Sequence, residues 1–293
     1  METTKKYELT DSAIEFNGVT LYRIKALKDF SNIKAGDLGG WIEKEDNLSQ
    51  MDNAWIGGDA KVYGSAKVCC DANVYGNALI YGDANVYGNA VVCGDAKVYG
   101  NAVVCGDAKV YDDAIIYDNA EVYGNARIYD NAWVYGKSKV FGNARIRDYA
   151  EVYGDARVHN HAMVGDNARV FDNARVYGNA RIYGDANVCG NVYIYGNALI
   201  YGDAKVLGDV EVFGEVEICG NAVVCDGTDY IVLKNFWSSK RYFTWTKSNN
   251  MWKVGCFYGT GKELIEKAYA DSETSGKEYE RAVMYVESAI TNT

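Results

Sequence analysis

The fold is decided by a six-residue repeat, which residues 84–101 show three times as ANVYGN, AVVCGD and AKVYGN. Outward from this stretch, every sixth residue from Ile56 to Val224 is Val or Ile, and no insertion interrupts the 29 repeats. Ala stands two residues before this position in 25 of the repeats, and Gly, Asp or Asn usually stands two residues after it. The unit is therefore Ala-x-Val-Tyr-Gly-Asn/Asp.

Each position of the unit has a physical role. Ala and Val stand two residues apart, so their side chains point to the same side of a short β-strand, which β-branched residues favour. The Gly, Asp or Asn position tolerates positive φ and turns the chain at a tight corner. Short strands joined by such corners coil into a parallel solenoid around a column of Ala, Val and Ile. The sequence therefore predicts an all-β fold for most of the chain.

An aliphatic residue followed four positions later by a small one, as in Val62/Ala66 and Val98/Ala102, resembles the hexapeptide-repeat family. The resemblance covers all 29 repeats. It implies a single-stranded left-handed parallel β-helix with three hexads in each coil and nearly ten coils. In this family Gly often follows the aliphatic residue directly, whereas here Tyr usually stands there and Gly comes one position later.

Residues 1–51 precede the repeats and predict a β-rich N-terminal cap, which a solenoid needs because an open coil exposes strand edges. Residues 14–16 and 19–22 flank Asn17-Gly18, a dipeptide typical of a hairpin turn. The stretch 29–50, DFSNIKAGDLGGWIEKEDNLSQ, resembles the opening of YdcK-like bacterial proteins and of prophage-encoded repeat proteins. The β-helix is expected to occupy residues 52–226.

Residues 227–293 lose the repeat and predict a small α+β module of the order βββαα. Strands are expected at residues 230–233, 242–246 and 252–257, with turns at 238–240 and 248–250. Basic and aromatic side chains alternate there, which suits a protein partner or single-stranded nucleic acid. Alternatively, the aromatic side chains form the core between the sheet and the helices. The predicted partner-binding residues are Trp237, Lys240, Arg241, Trp245, Lys247 and Trp252.

Residues 18 apart should stack on successive coils, which predicts an outward aromatic ladder. Such a ladder either stabilises the solenoid surface or offers a contact face. Its members are Tyr63, Tyr81, Tyr99, Tyr117, Tyr135 and Tyr153, continued by Phe171. The cysteines of the repeats are expected to be reduced substitutes for Tyr, because no same-face pair stands on adjacent coils; Cys69 and Cys105, for example, stand two coils apart. No metal site is expected, since no CxxC pair or matching His cluster occurs.

The formal net charge of −10 argues against nucleic-acid binding by the whole surface. The N-terminus has no apolar core of a signal peptide, and no stretch approaches the ~20 apolar residues of a membrane span. We therefore expect a protein in the cytoplasm of a bacterial host that does not bind membranes.

Three functions are compatible with these features. The favoured one is a non-catalytic structural or interaction protein of phage or prophage origin, without a cofactor, whose solenoid is a rigid scaffold and whose C-terminal module recognises a protein partner. The hexapeptide-repeat resemblance implies instead an acyltransferase, often trimeric, that uses acyl-CoA and a histidine base, for which His159 and His161 are the candidates. The absence of a loop insertion disfavours that function.

The third function is inhibition of a host defence enzyme by an acidic solenoid that mimics nucleic acid. Residues 71–121 carry a net charge of −6, which makes them the expected contact surface. A phosphate-binding loop at residues 259–262, GTGK, is not expected, because the upstream Gly of that motif is Cys256 and Glu263 replaces its Ser or Thr.

Overall fold

The structure is a computed structural model, and it describes residues 5–237 and 239–291. Two units can be distinguished, Met1–Asp166 and Asn167–Thr293, and each is described by itself. The boundary between them falls inside the repeats, so the predicted limits at 51/52 and 226/227 stay predictions. Residues 1–4 of the predicted cap, residue 238 of a predicted turn and residues 292–293 lie outside the described part of the chain.

The first unit begins with the N-terminal cap. Strands β1 (Tyr7–Phe16) and β2 (Val19–Ala26) form the predicted antiparallel hairpin, and Asn17 (φ 52°) and Gly18 (φ 79°) form its turn. Strand β3 (Leu38–Ile42) pairs antiparallel with β2, and a 3-10 turn spans Glu45–Asn47.

The repeats form strands of two residues, except for two strands of the second unit that have four residues. In the first unit these are β4 to β22: Trp55–Ile56, Lys61–Val62, Lys67–Val68, Asn73–Val74, Leu79–Ile80, Asn85–Val86, Val91–Val92, Lys97–Val98, Val103–Val104, Lys109–Val110, Ile115–Ile116, Glu121–Val122, Arg127–Ile128, Trp133–Val134, Lys139–Val140, Arg145–Ile146, Glu151–Val152, Arg157–Val158 and Met163–Val164. In the second unit they are β23 to β32: Arg169–Val170, Arg175–Val176, Arg181–Ile182, Asn187–Val188, Tyr193–Gly196, Leu199–Ile200, Lys205–Val206, Glu211–Gly214, Glu217–Ile218 and Val223–Val224.

Within each unit a repeat strand pairs in parallel with the strand three places further along the chain. Val92, for example, lies between Val74 and Val110, so the register advances by one coil of three hexads. The Val, Ile and Ala positions are buried, as Ala108 and Val110 show with 0% exposure. The repeats therefore form the expected parallel β-solenoid of about ten turns, whose left-handed sense stays a prediction.

The corner after each strand has the positive φ that the sequence predicts. Gly94 has φ 70°, and on the next two coils Asp112 (φ 57°) and Asp130 (φ 56°) adopt the same conformation. The Asp112 carboxylate also accepts the N–H of Asp130 at 3.4 Å. Asp is therefore suited to the corner, because its short side chain bonds to the backbone of the coil that follows.

We expect Gly94→Val to destabilise the protein by about 2–4 kcal/mol, because a β-branched residue is strained at this φ and crowds the next coil. With any side chain, a Cβ at this position would lie 2.8 Å from the backbone nitrogen of Asp112. Asp112 and Asp130 carry a Cβ at the equivalent corners, so the extra loss in Gly94→Val comes from its β-branched side chain. Gly94→Asn is the matched control and should cost less than about 1 kcal/mol, since Asn tolerates the left-handed region. Urea unfolding followed by circular dichroism measures both, and equal losses would contradict this role of the corner.

The N-terminal cap closes the first coil by donating hydrogen bonds to its free carbonyl groups. The N–H of Trp41 donates to Ala60 O and the N–H of Ser49 donates to Val68 O, both at 2.9 Å. Asn47 is fully buried, and its side-chain amide donates to Ala66 O at 2.9 Å. The cap thus supplies donors where the solenoid offers only acceptors.

The second unit ends in the C-terminal module, which has four strands and two helices. The strands are β33 (Tyr230–Lys234), β34 (Tyr242–Thr246), β35 (Met251–Val254) and β36 (Phe257–Gly259), and they form one antiparallel sheet. The helices are α1 (Gly261–Asp271) and α2 (Glu273–Thr291). No helix among the described residues is long and apolar enough to span a membrane.

The structure of this module corrects the predicted strand at 252–257 and shows what the GTGK stretch at 259–262 does. The predicted third strand at 252–257 is two strands, because Gly255 adopts φ 56° and reverses the chain. Residues 259–262 join β36 to helix α1, whose first turn has a capping box formed by Thr260 and Glu263. The Thr260 hydroxyl accepts the N–H of Glu263, and the Glu263 carboxylate accepts the N–H of Thr260 at 2.8 Å.

Candidate functional site

The sheet of the C-terminal module has one apolar face, which packs on the two helices. Side chains alternate along a strand, so Phe243 and Trp245 of β34 point to the same side. The buried core that they join consists of Phe243, Trp245, Trp252, Val254, Leu264, Ala268, Tyr279, Val283 and Val286. Helix α2 contributes Tyr279, Val283 and Val286 to this core and so has one apolar face.

The opposite face of the sheet caps the last coil of the solenoid. Within the solenoid each coil donates its N–H groups to carbonyls of the following coil, as Lys205 donates to Ala222 O at 2.8 Å. The last coil has no successor, and the module supplies the missing acceptors. The Thr244 hydroxyl accepts the N–H of Glu217 at 3.1 Å, and the Ser248 hydroxyl accepts the N–H of Val223 at 2.7 Å.

Further contacts fix the module on this coil. The Asp229 carboxylate accepts the N–H of Cys225 at 2.8 Å, and the Tyr230 hydroxyl donates to Glu211 O at 2.8 Å. The Lys253 ammonium lies 3.5 Å from the carboxylate of Glu217. The module is therefore a C-terminal cap that supplies acceptors, whereas the N-terminal cap supplies donors.

The loop between β33 and β34 exposes two large aromatic side chains. Its base is closed by the N–H of Asn235, which donates to Arg241 O at 2.9 Å. The Asn235 side chain is buried, and its oxygen accepts the N–H of Trp237 at 2.9 Å. Phe236 is nevertheless 66% exposed and Trp237 is 79% exposed. This exposure is unusual for such residues outside a binding surface.

Beside this loop lies a groove of about 600 Å³ between the sheet and helix α2. The Lys234 ammonium lies 5.0 Å from the ring centroid of Tyr242 and 5.4 Å from that of Phe236. Arg281 forms an ion pair with Glu278 at 2.5 Å. The lining residues are Leu233, Lys234, Asn235, Trp237, Phe243, Glu278, Arg281, Ala282 and Tyr285. The groove suits a ligand segment in which an apolar side chain stands next to a carboxylate.

The six residues predicted to bind a partner lie in different parts of the module. Trp237, Lys240 and Arg241 lie in the exposed loop beside the groove. Trp245 and Trp252 are each 2% exposed and belong to the core, as the alternative interpretation expects.

Lys247 follows β34 at its far end, about 20 Å along the strand from Arg241, and its part in binding stays a prediction.

Other residues of the groove were not predicted from the sequence. Tyr285 of helix α2 is 61% exposed, and Met284 next to it is exposed as well. Both lie outside the apolar face that Tyr279, Val283 and Val286 form. Large apolar residues on the polar face of an amphipathic helix are the signal that could have identified this surface.

The predicted tyrosine ladder is present on the first unit. From Tyr63 to Tyr153, successive rings stack with centroids 4.7–5.2 Å apart and planes within 9° of parallel. The rings are half-buried, so the ladder covers surface of the solenoid. Its use as a contact face for a partner stays a prediction.

The ladder predicts a loss of stability in alkali. Burial, with smaller effects of neighbouring groups, raises the pKa of Tyr81 to about 12 and that of Tyr117 to about 12. An unfolded tyrosine ionises near pH 10, so the folded state binds the proton more tightly. Stability should therefore be constant below about pH 10 and fall as the pH rises from about 10 to about 12.

Urea midpoints measured across this pH range check the expectation. The double variant Tyr81→Phe/Tyr117→Phe keeps two stacked rings but cannot ionise there, so its stability should fall less steeply than that of the wild type. An equally steep fall in both proteins would show that other groups cause the alkaline loss.

The two histidines predicted as a catalytic base lie on the outside of the solenoid. The His159 ring stacks on Phe141 with centroids 4.6 Å apart, and Phe141 stacks in turn on Tyr123. A ring nitrogen of His161 lies 3.4 Å from the side-chain amide of Asn143. His159 thus occupies an aromatic ladder position and His161 an Asn position, and their catalytic role stays a prediction.

Comparisons with known proteins agree with the repeat geometry. Residues 120–136 and 174–190 match the family described as the YdcK β-solenoid repeat. A stretch of 60 residues is 37% identical to the uncharacterized acetyltransferase YdcK of Escherichia coli strain K12 and spans 18% of this chain and 18% of that protein. With its register of three hexads per coil, the solenoid of this chain is similar to YdcK-like β-solenoid repeat proteins over these segments.

Proposed function

We propose that this chain is a non-catalytic interaction protein that binds a protein partner at the loop and groove of its C-terminal module. The observation that carries the proposal is the exposure of Phe236 and Trp237 beside a groove of about 600 Å³. Aromatic residues at the edge of a pocket are the usual anchors of protein–protein interfaces. The solenoid would act as the rigid scaffold that presents them.

The charge of the surface favours a partner segment that carries a carboxylate next to an apolar side chain. Residues 229–262 contain six basic residues and one acidic residue. Lys240 and Arg241 are exposed in the loop, and Lys234 lies at the groove. The basic and aromatic pattern suits two ligand classes, and we favour protein over nucleic acid. The groove lining includes the Glu278 carboxylate, which repels phosphate and forms an ion pair with Arg281.

The scaffold role rests on the regularity of the repeats. None of the 29 hexads is interrupted by an insertion, so no loop within them forms a substrate pocket. Self-association of the solenoid, as a trimer by resemblance to the family, would present several grooves at once and raise the apparent affinity. Residence in a bacterial cytoplasm and phage or prophage origin are further expectations of this proposal.

Capture from a bacterial lysate, read by mass spectrometry, tests the proposal with three baits. Phe236→Ser/Trp237→Ser removes the exposed anchors, and Lys247→Ala is the matched control at the far end of β34. We expect a stoichiometric protein with the wild type and with Lys247→Ala, and its loss with the double variant. Equal capture by all three baits would place the binding surface elsewhere.

An acyltransferase is the second candidate, and the name of the E. coli relative is the observation that favours it. In that case His159 or His161 would act as the base for transfer from acyl-CoA. Calorimetric titration with acetyl-CoA discriminates the two functions. An enzyme predicts saturable binding and turnover that His159→Ala/His161→Ala abolishes, whereas a scaffold predicts neither.

Nucleic-acid mimicry by residues 71–121 is a third proposal. Corner carboxylates of this segment accept hydrogen bonds from the coil before, as Asp95 accepts from Asn77 at 3.0 Å and Asp107 accepts from Asn89 at 2.8 Å. A target bound through this acidic surface should dissociate as salt is raised. A partner bound at the aromatic loop should be much less sensitive.

A further inference from the structure

Two cysteines and an aspartate converge where the N-terminal cap meets the first coils. The ligand atoms of Asp52, Cys69 and Cys70 all lie within 4.8 Å of one another. The two sulfur atoms are 3.6 Å apart. Cys69 is half-buried and Cys70 is exposed, so a solute can reach the group.

The solenoid fixes this geometry through its corner positions. Cys70 stands at a corner where the repeat usually has Gly, and it has the φ of 66° that the corner requires. Its N–H donates to the Asp52 carboxylate at 2.6 Å. Asp52 stands one coil earlier, so this is the contact that Asp112 makes with Asp130. The other Asp52 oxygen accepts the N–H of Ala54 at 3.1 Å.

The spacing of the donor atoms matches a tetrahedral cation with soft ligands. Two thiolates on one zinc ion, with bonds of about 2.3 Å, lie about 3.8 Å apart. The observed 3.6 Å between the sulfur atoms is close to that value. A carboxylate oxygen on the same ion would lie about 3.6 Å from each sulfur, which a side-chain adjustment of about 1 Å provides.

We propose that Asp52, Cys69 and Cys70 form a binding site for a thiophilic divalent cation of the zinc class. The three side chains supply two sulfur ligands and one oxygen ligand, and solvent completes the tetrahedron. The Asp52 carboxylate already accepts hydrogen bonds from the backbone of Cys70 and Ala54 and from the Lys6 ammonium, so a cation would compete with the longest of these, that of Lys6 at 3.5 Å. The Lys6 ammonium, 3.5 Å from Asp52, offsets part of the negative charge of the group.

Proton release makes this binding dependent on pH. Burial, the neighbouring Cys70 and the Asp52 carboxylate raise the pKa of the Cys69 thiol to about 11. A cation binds sulfur as the thiolate and displaces the thiol proton, so binding should strengthen as the pH rises.

Titration of the reduced full chain with Cd²⁺ tests the proposal through the ultraviolet charge-transfer band of cadmium thiolate. We expect one equivalent of cadmium for each chain and loss of the band in Cys70→Gly. That variant restores the usual corner residue, so its melting temperature should equal or exceed that of the wild type. Cys93→Ser/Cys105→Ser is the control and should keep the band, because those two thiols follow strands of different sheets of the solenoid.

Asp52→Asn measures the contribution of the carboxylate and should weaken cadmium binding at least about 10-fold. A band that persists in folded Cys70→Gly would overturn the proposal. So would equal loss in the Cys93→Ser/Cys105→Ser control, or the absence of a band while both thiols react as free groups. Recovery of the pair as a Cys69–Cys70 disulfide under these reducing conditions would also overturn it.

Discussion

Removal of residues 227–293 is expected to lower the melting temperature and to cause aggregation, although every hexad is retained. Glu217 and Val223 donate their N–H groups to hydroxyls of the module, and Cys225 donates to Asp229. Without the module, these donors form an open strand edge beside the apolar ends of the core column. Open edges of this kind template pairing with other chains.

Light scattering after size exclusion, together with a thermal melt, measures this effect. We expect aggregates and a midpoint lower by about 5 °C or more, which corresponds to a loss of roughly 1.5–2 kcal/mol in a chain of this size. Phe236→Ser/Trp237→Ser is the control, since it changes only exposed side chains and leaves the cap in place. A truncated chain that stays monodisperse with an unchanged midpoint would show that the module is not a cap.

Ile128→Asp is expected to destabilise the protein by more than about 4 kcal/mol, because it buries a charge without a partner inside the column. Ile128 is fully buried, with Ile146 and Val110 beside it on the neighbouring coils. Arg127→Asp on the same strand points outward and should change the stability by less than about 0.5 kcal/mol.

Urea unfolding of the two variants gives the comparison. Coils contact only their neighbours, so the damage should be local, and limited proteolysis of Ile128→Asp should cleave near the substituted coil first. Similar stabilities for the two variants would contradict the assignment of inward and outward positions.

The repeat could be read from the sequence because it depends on local rules. A period of six, a β-branched residue and a corner that tolerates positive φ each concern residues that are near in the chain. Stacking at an interval of one coil follows directly, and it places Tyr63 on Tyr81 with centroids 5.1 Å apart. The hairpin at Asn17-Gly18 was predictable for the same reason.

The candidate site depends on contacts that the sequence pattern does not specify. Trp237 and Trp245 have similar sequence surroundings, but the first lies in a loop and the second faces helix α2. The capping role of Thr244 arises from a contact with Glu217, which no local rule indicates. Cys70 was grouped with the Tyr substitutes, although it stands at a corner and lies 3.6 Å from its neighbour Cys69.

The central claim is that the two faces of the C-terminal module have separate roles. One face caps the solenoid through Thr244 and Ser248, and the loop with Phe236 and Trp237 is the partner-binding surface that we propose. The most direct test compares the affinity of the captured partner for two double variants, Phe236→Ser/Trp237→Ser and Thr244→Val/Ser248→Ala. The melting temperature of each variant is measured alongside.

The account predicts at least a tenfold (about 1.4 kcal/mol) weaker affinity for the loop variant, with its melting temperature unchanged. For the capping variant it predicts a lower melting temperature, because two N–H donors lose their acceptors. At temperatures where this variant is still folded, its affinity for the partner should be unchanged. Full affinity in the loop variant, or lost affinity in a folded capping variant, would contradict it.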